Sequence, residues 1–171
     1  MSDVLRELLR NQFEAAFCTL NLCFEQCPDE LWQEPVGNEP FSRVVFHTLF
    51  FADLYLSADE ESFRKQQFHL DNAELFGDYE QLQWRDPVCI YERALLQEYL
   101  SFCRAKAIDV FSAETDESLA VPCGFPRRDL SRAELHVYSM RHIQHHVAQL
   151  NLRLRLSADI GIPWVGSGWS D

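Results

Sequence analysis

The sequence lacks long hydrophobic runs and is short of glycine and of basic residues, and each shortage argues against a class of protein. The uncharged apolar stretch between Arg43 and Asp53 is about nine residues long, whereas a membrane-spanning helix needs roughly 20. With 6 glycines in 171 residues, glycine-rich loops that cradle phosphates are not expected. The formal charge of −12 argues against nucleic acid and phospholipid surfaces as partners, because both attract basic footprints.

Several motifs of catalysis and metal binding are also missing. No C-x-x-C occurs, and the six cysteines are expected to be reduced thiols that pack in the core. Neither H-E-x-x-H nor G-x-x-x-x-G-K nor G-x-S-x-G is present. The E-x-x-H pairs of di-iron bundles are absent too, since Glu134 is followed three residues later by Val137. Zincin proteases, P-loop nucleotide hydrolases and ferritin-like oxidases are therefore disfavoured.

What is present is a large apolar fraction in a chain of moderate length. Apolar residues make up 47% of the chain and aromatics 13%, which is enough for one packed domain over residues 1–171. The first residues alternate charged with apolar side chains, where a secretory signal would have a basic stretch and then an apolar run. We therefore expect a cytoplasmic protein with a single domain.

Hydrophobic periodicity of three and four residues predicts four long helices, over residues 2–27, 40–57, 88–111 and 131–156. Ser131 with Glu134 forms the capping box that opens the last helix. The segment 58–87 is long and aromatic, and we expect it to cross over the bundle with short helical pieces. Residues 112–130 are expected to form a loop. Without convincing period-two strands, the pattern predicts an all-α four-helix bundle.

Histidines are concentrated in the fourth predicted helix, which contains four of the six. His142 and His146 are one turn apart, so their side chains point the same way and could hold one ion between them. His47 lies alone on the apolar stripe of the second helix and is the best candidate for a third ligand. Three imidazoles leave at least one coordination position open, as in catalytic zinc sites. Nickel or iron would suit the same ligands.

Each of these histidines also has a structural interpretation. A lone histidine such as His47 is more often a core or boundary residue than a ligand, and two histidines one turn apart can simply face solvent. His145 is rotated by about 100° from each neighbour and is expected to face solvent or to support the site from behind. His69 and His136 have no evident partner and are expected to be structural or exposed. The acidic run over 109–117 is expected to be a solvated edge.

One histidine in the middle of helix two, with H-x-x-x-H and a following Gln on helix four, resembles the DinB-like family. The matching stretches are residues 41–49 and 142–150. The resemblance implies an up-down-down-up four-helix bundle with a long crossover between helices two and three. It also implies a divalent ion, zinc or nickel, held by His47, His142 and His146, and a homodimer. Many members carry Arg-Gly-Gln after the last histidine, whereas this chain keeps only Gln149 of the three.

Members of the family include thiol S-transferases that use low-molecular-weight thiols, and metal-dependent hydrolases or isomerases. The resemblance therefore implies a metal-dependent enzyme with a small-molecule substrate, in which the ion activates a bound thiol or water. Gln149, beyond His146, is expected to orient substrate or a ligand. Tyr138 is a candidate general base, although a tyrosine in this position more often packs in the core.

The alternative is a non-catalytic helical-bundle dimer or partner-binding module with a vestigial metal site. Both hypotheses fit the composition and the helix pattern. They differ in whether the three histidines hold an ion tightly.

Overall fold

The computed structural model describes residues 2–36, 39–77 and 91–170, most of which are helical. In chain order the elements are α1 (Ser2–Gln26), α2 (Asp29–Trp32), β1 (Pro35–Val36), β2 (Glu39–Pro40), α3 (Phe41–Leu56), α4 (Glu60–Arg64), α5 (Gln67–Asp71), α6 (Ala73–Phe76), α7 (Arg93–Ala113), α8 (Asp116–Ala120) and α9 (Arg132–Ala158). The two strands pair antiparallel. None of the described helices has a window apolar enough to cross a bilayer. The prediction of a mainly helical bundle is confirmed.

Two details of the predicted helices differ from the structure. Tyr91 and Glu92 precede α7 and are not helical, while the predicted start at Val88 lies outside the described residues. The prediction of an uninterrupted loop over 112–130 is wrong, because α7 continues to Ala113 and α8 follows it. The reason for α8 is local: the Thr115 hydroxyl accepts from the backbone of Ser118, whose hydroxyl accepts from Thr115 N–H in return.

The bundle is built by α1 and α3, each of which packs against both α7 and α9. Their contact faces are apolar and aromatic, and the largest fully buried side chains include Phe13, Phe17 and Tyr99. Burial of these rings is the main source of stability, at about 25 cal/mol for each Å² removed from water. The five described cysteines are buried and free, as predicted, while Cys89 lies outside the described residues.

Two arginines fasten the ends of neighbouring long helices. Arg93, at the start of α7, donates to the carbonyl oxygens of Phe24 and Cys27 at the end of α1. Arg132, at the start of α9, donates to the carbonyl oxygens of three residues at the end of α3, namely Tyr55, Leu56 and Ser57. Guanidinium groups suit these positions because the last carbonyls of a helix lack partners and carry partial negative charge. Within each pair, the two helices therefore run in opposite directions.

A buried polar cluster fixes the short helices α4–α6 over the bundle and shows that His69, expected to be structural or exposed, is structural. The Asp53 carboxylate, fully buried on α3, accepts from His69 Nε2 at 2.7 Å and from the Tyr99 hydroxyl at 2.8 Å, and it also pairs with Lys106. Burial alone would raise the pKa of Asp53, but the hydrogen bond from His69 and the charge of Lys106 hold it below its usual value. His69 therefore has a partner that its sequence neighbours did not reveal.

A second cluster shows that His136 is structural rather than exposed and corrects the expectation for the acidic run. Glu114 is 6% exposed, and its Oε1 atom lies 2.9 Å from His136 Nε2 and 3.0 Å from Arg132 Nε. Burial would raise its pKa, but hydrogen bonds from His136, Ser118 and Arg132 lower it to about 2. The prediction of a solvated edge is thus wrong at Glu114, because two residues one turn apart on α9 enclose the carboxylate.

Candidate metal centre

The packing of α3 against α9 brings the three predicted histidines together. His142 Nε2 lies 3.2 Å from His47 Nε2 and 3.1 Å from His146 Nε2, and the three atoms all lie within 4.8 Å of one another. His142 and His146 share a face because they are four residues apart on one helix. Three nitrogens bound to one tetrahedral ion at about 2.0–2.1 Å would lie about 3.3 Å apart. The separations therefore suit a single metal ion.

The protonation states of the three imidazoles also suit a metal. Burial, followed by the charges of the neighbouring imidazoles, lowers the pKa of His47 to about 3 and that of His142 to about 4. Burial lowers the pKa of His146 as well, against a hydrogen bond with Gln149 that raises it. All three rings are therefore neutral near pH 7, which is the form that binds metal ions. The lone pairs of neutral imidazoles that lie this close repel one another unless a proton or a cation lies between them.

The three rings are held in different ways. The Nδ1 atom of His146 lies 2.8 Å from Gln149 Oε1, and this carbonyl oxygen can only accept, so the proton is on Nδ1 and the lone pair on Nε2. The Nδ1 atom of His142 is buried without a hydrogen-bond partner among the described residues. Phe51 packs against the rings of both His47 and His142, with centroid distances of 4.8 and 5.4 Å. Packing therefore orients these two rings.

His145 does not join the group. Its side chain is exposed, as its position on the helix predicted, and its Nε2 atom lies 3.2 Å from Gln149 Nε2. Its ring also packs edge-to-face against that of His146, with centroids 5.0 Å apart, so it lies beside the site without facing the other two histidines.

A cavity of about 550 Å³ opens beside the histidines and is lined by residues of β2, α3, α9 and the loop before α9. Its walls include the aromatic rings of Phe51, Tyr55 and Tyr138 and two arginines, Arg43 and Arg128. A volume of this size accommodates a small organic molecule. Tyr138, the candidate for a general base, thus lies in the wall, where its ring contacts the Arg128 guanidinium at 4.5 Å.

Sequence reasoning missed both arginines of this cavity. Arg43 lies one turn before His47 on α3, so helical spacing could have placed it beside the ligand. It pairs with Glu39, which also lines the cavity, at 2.9 Å. Arg128 lies in a loop, and no periodic signal connects it to the histidines.

The family model of the DinB superfamily matches residues 12–150 of the chain. The chain belongs to the DinB superfamily. The match includes His47, His142 and His146, and it confirms the resemblance drawn from residues 41–49 and 142–150. No curated protein and no solved structure matches the chain.

Proposed function

We propose that this DinB superfamily protein is a metal-dependent enzyme and that His47, His142 and His146 hold a divalent transition metal, zinc or nickel. The observation that supports this most strongly is the convergence of three Nε2 atoms, at 3.1 and 3.2 Å, in the wall of a cavity. Three protein ligands leave at least one coordination position for a substrate atom, as in catalytic sites. When bound, the ion supplies Lewis acidity that lowers the pKa of a thiol or water toward neutrality.

The reaction class that fits this arrangement is transfer of a thiol to an electrophile or hydrolysis of a small molecule. Phe51, Tyr55 and Tyr138 give the cavity apolar walls, and electrostatic interactions beside such walls are stronger than in bulk water. Gln149 fixes the ring of His146 through Nδ1. A low-molecular-weight thiol, the substrate that the resemblance implies, is small enough for the cavity.

The proposal is tested by an activity screen of protein loaded in turn with zinc and with nickel. One assay follows conjugation of low-molecular-weight thiols to 1-chloro-2,4-dinitrobenzene, and the other follows hydrolysis of p-nitrophenyl acetate. We expect turnover in one assay that needs added metal and is lost in His146→Ala. The matched control is His145→Ala, which changes an exposed histidine at the edge of the same cavity that is not one of the three ligands, and it should keep most of the activity.

Two results would contradict the proposal. One is turnover that is equal in wild type and His146→Ala, which would place the reaction elsewhere. The other is no turnover in either assay with any thiol or metal, which would favour the non-catalytic alternative.

A further inference from the structure

Arg128 is a half-buried cation that no carboxylate neutralises within the described part of the chain. Its Nη2 atom donates to the Tyr55 hydroxyl at 2.6 Å, and its guanidinium lies over the Tyr138 ring at 4.5 Å. Several other arginines of the structure pair with carboxylates, as Arg104 does with Glu14. In a chain with a formal charge of −12, a partly desolvated guanidinium without an acidic partner is unusual, since such groups are normally paired.

The charge balance of the cavity also leaves Arg128 without a negative counterpart. Its charged lining residues other than histidine are Arg43, Arg128 and Glu39. The salt bridge of 2.9 Å between Arg43 and Glu39 cancels one positive charge, and Arg128 supplies the charge that remains. The cavity wall is therefore positive although the protein as a whole is acidic, and an anionic ligand is attracted to it.

The loop that carries Arg128 is held rigidly. Cys123 N–H donates to the carbonyl of Leu130 at 3.1 Å, and Arg128 N–H donates to the carbonyl of Phe125 at 2.9 Å. The Phe125 ring packs against Tyr55 with centroids 5.8 Å apart. A guanidinium that is already in place loses less entropy when it binds a ligand.

Gly124 sets the position of the same loop. It has a φ of +78° and lies against the carbonyl oxygen of Ala58, which a Cβ atom would approach to 2.2 Å. The loop therefore packs closely on Ala58, two residues beyond the end of α3, and this contact leaves little freedom in where Arg128 is placed.

We propose that the substrate of this site carries a carboxylate or phosphate group that Arg128 binds, while the rest of the molecule extends through the cavity toward the three histidines. A planar guanidinium recognises either group through two parallel hydrogen bonds. The assignment to a substrate rests on the proposed function, whereas the binding of an anion by Arg128 does not.

The experiment uses the full chain without metal, so that an ion cannot itself bind the probe. Three probes share a phenyl ring for the aromatic wall: 3-phenylpropionate, its neutral amide and phenyl phosphate. Dissociation constants are measured by NMR titration. We expect at least one anionic probe to bind about tenfold more tightly than the amide, in line with a charge-assisted hydrogen bond. Whether the carboxylate or the phosphate binds more tightly identifies the anionic group.

The matched pair of variants is Arg128→Gln and Arg127→Gln. Arg127 is the exposed neighbour and does not line the cavity of the histidines. The preference for the anion should disappear in Arg128→Gln and persist in Arg127→Gln. Retention of the preference in Arg128→Gln would overturn the inference.

The wild-type measurement tests the inference even if Arg128→Gln does not fold. Equal affinity of the wild-type protein for the amide and for both anions would overturn the inference on its own. The outcome is also separate from that of the proposed function. A protein that takes up no metal but prefers 3-phenylpropionate to its amide retains the anion site and loses the proposed enzyme. A protein that binds metal but does not prefer 3-phenylpropionate to its amide keeps the proposed metal site and loses the anion site.

Discussion

The Nδ1 atom of His146 lies 2.8 Å from the Oε1 atom of Gln149, three residues further along α9. This hydrogen bond fixes the tautomer in which the His146 Nε2 lone pair faces His142. Gln149 thus acts on the candidate metal centre through a ligand, which is the arrangement that outer-shell partners of metal-bound histidines commonly have.

Replacement of Gln149 by Ala should therefore weaken metal binding by about 10–100-fold without unfolding the protein. Gln149→Glu keeps an acceptor for Nδ1–H and should retain most of the affinity. The matched control is Gln144→Ala, a glutamine of the same helix that does not line the cavity. Zinc affinity is measured by competition with a chromogenic chelator. Equal affinities for wild type and Gln149→Ala would show that the hydrogen bond is not important for the site.

Asp53→Ala should lower the free energy of unfolding by about 3–5 kcal/mol, because it leaves Lys106, His69 and Tyr99 without the carboxylate they share in the interior. The measurement is urea unfolding followed by circular dichroism. Asp71→Ala is the control, since this carboxylate is exposed on α5. If both variants lose less than about 1 kcal/mol, comparable with exposed ion pairs, the buried cluster does not fasten α4–α6 to the bundle.

The pKa of Glu114, lowered from its ordinary value of 4.5 to about 2, predicts how stability depends on pH. In the unfolded chain this carboxyl takes up its proton near its ordinary pKa, before the folded protein does, so acid favours the unfolded state. The stabilisation is complete above about pH 4.5, declines as the pH falls toward 2, and amounts to at most about 3 kcal/mol.

Glu114→Gln should accordingly be less stable than wild type at pH 7, and the difference should shrink as the pH falls from 4.5 toward 2. Urea unfolding of wild type and Glu114→Gln at several pH values measures the difference in stability and its dependence on pH. The control Glu117→Gln alters an exposed acid of α8 and should show little difference at any pH. A gap between Glu114→Gln and wild type that stays constant with pH would contradict the assigned pKa.

Gly124→Ala should destabilise the protein by on the order of 1–3 kcal/mol, the usual cost of a strained backbone position. The added Cβ would also lie 2.2 Å from the Ala58 carbonyl oxygen, so the loop must shift. The melting temperature measures the loss of stability. The loss of preference for 3-phenylpropionate over its amide measures the shift of the loop that carries Arg128. The control is Gly166→Ala, where the nearest atom is 3.8 Å away; it should change neither the melting temperature nor the preference for the anion. An unchanged Gly124→Ala would mean that the loop accommodates the side chain.

Periodicity accounts for the parts of this structure that could be predicted. Apart from the start of α7, which lies five residues after the predicted one, the ends of the long helices agree with the predicted ranges to within two residues, because core burial imposes a repeat on each. The same repeat placed His142 and His146 on one face, and it left His47 as the isolated polar residue of an apolar stripe. These are local properties of single helices, and local properties can be read from sequence.

The rest depends on which helices pack together. The Asp53–His69 and Glu114–His136 pairs join residues 16 and 22 positions apart, and no helical repeat links such positions. The acidic run around Glu114 looked solvated because its partners come from the first turns of α9. Arg128 was missed for a related reason, since its position depends on how its loop packs against Tyr55.

The central claim is that His47, His142 and His146 bind one ion, and metal content tests it most directly. Protein purified without a histidine tag is loaded with zinc or nickel, desalted and analysed by mass spectrometry for metal per chain. We predict about one equivalent for wild type and for His145→Ala, and loss of most of it in His47→Ala, His142→Ala and His146→Ala. Less than about 0.1 equivalent in wild type after loading, or equal content in His145→Ala and His146→Ala, would contradict the assignment.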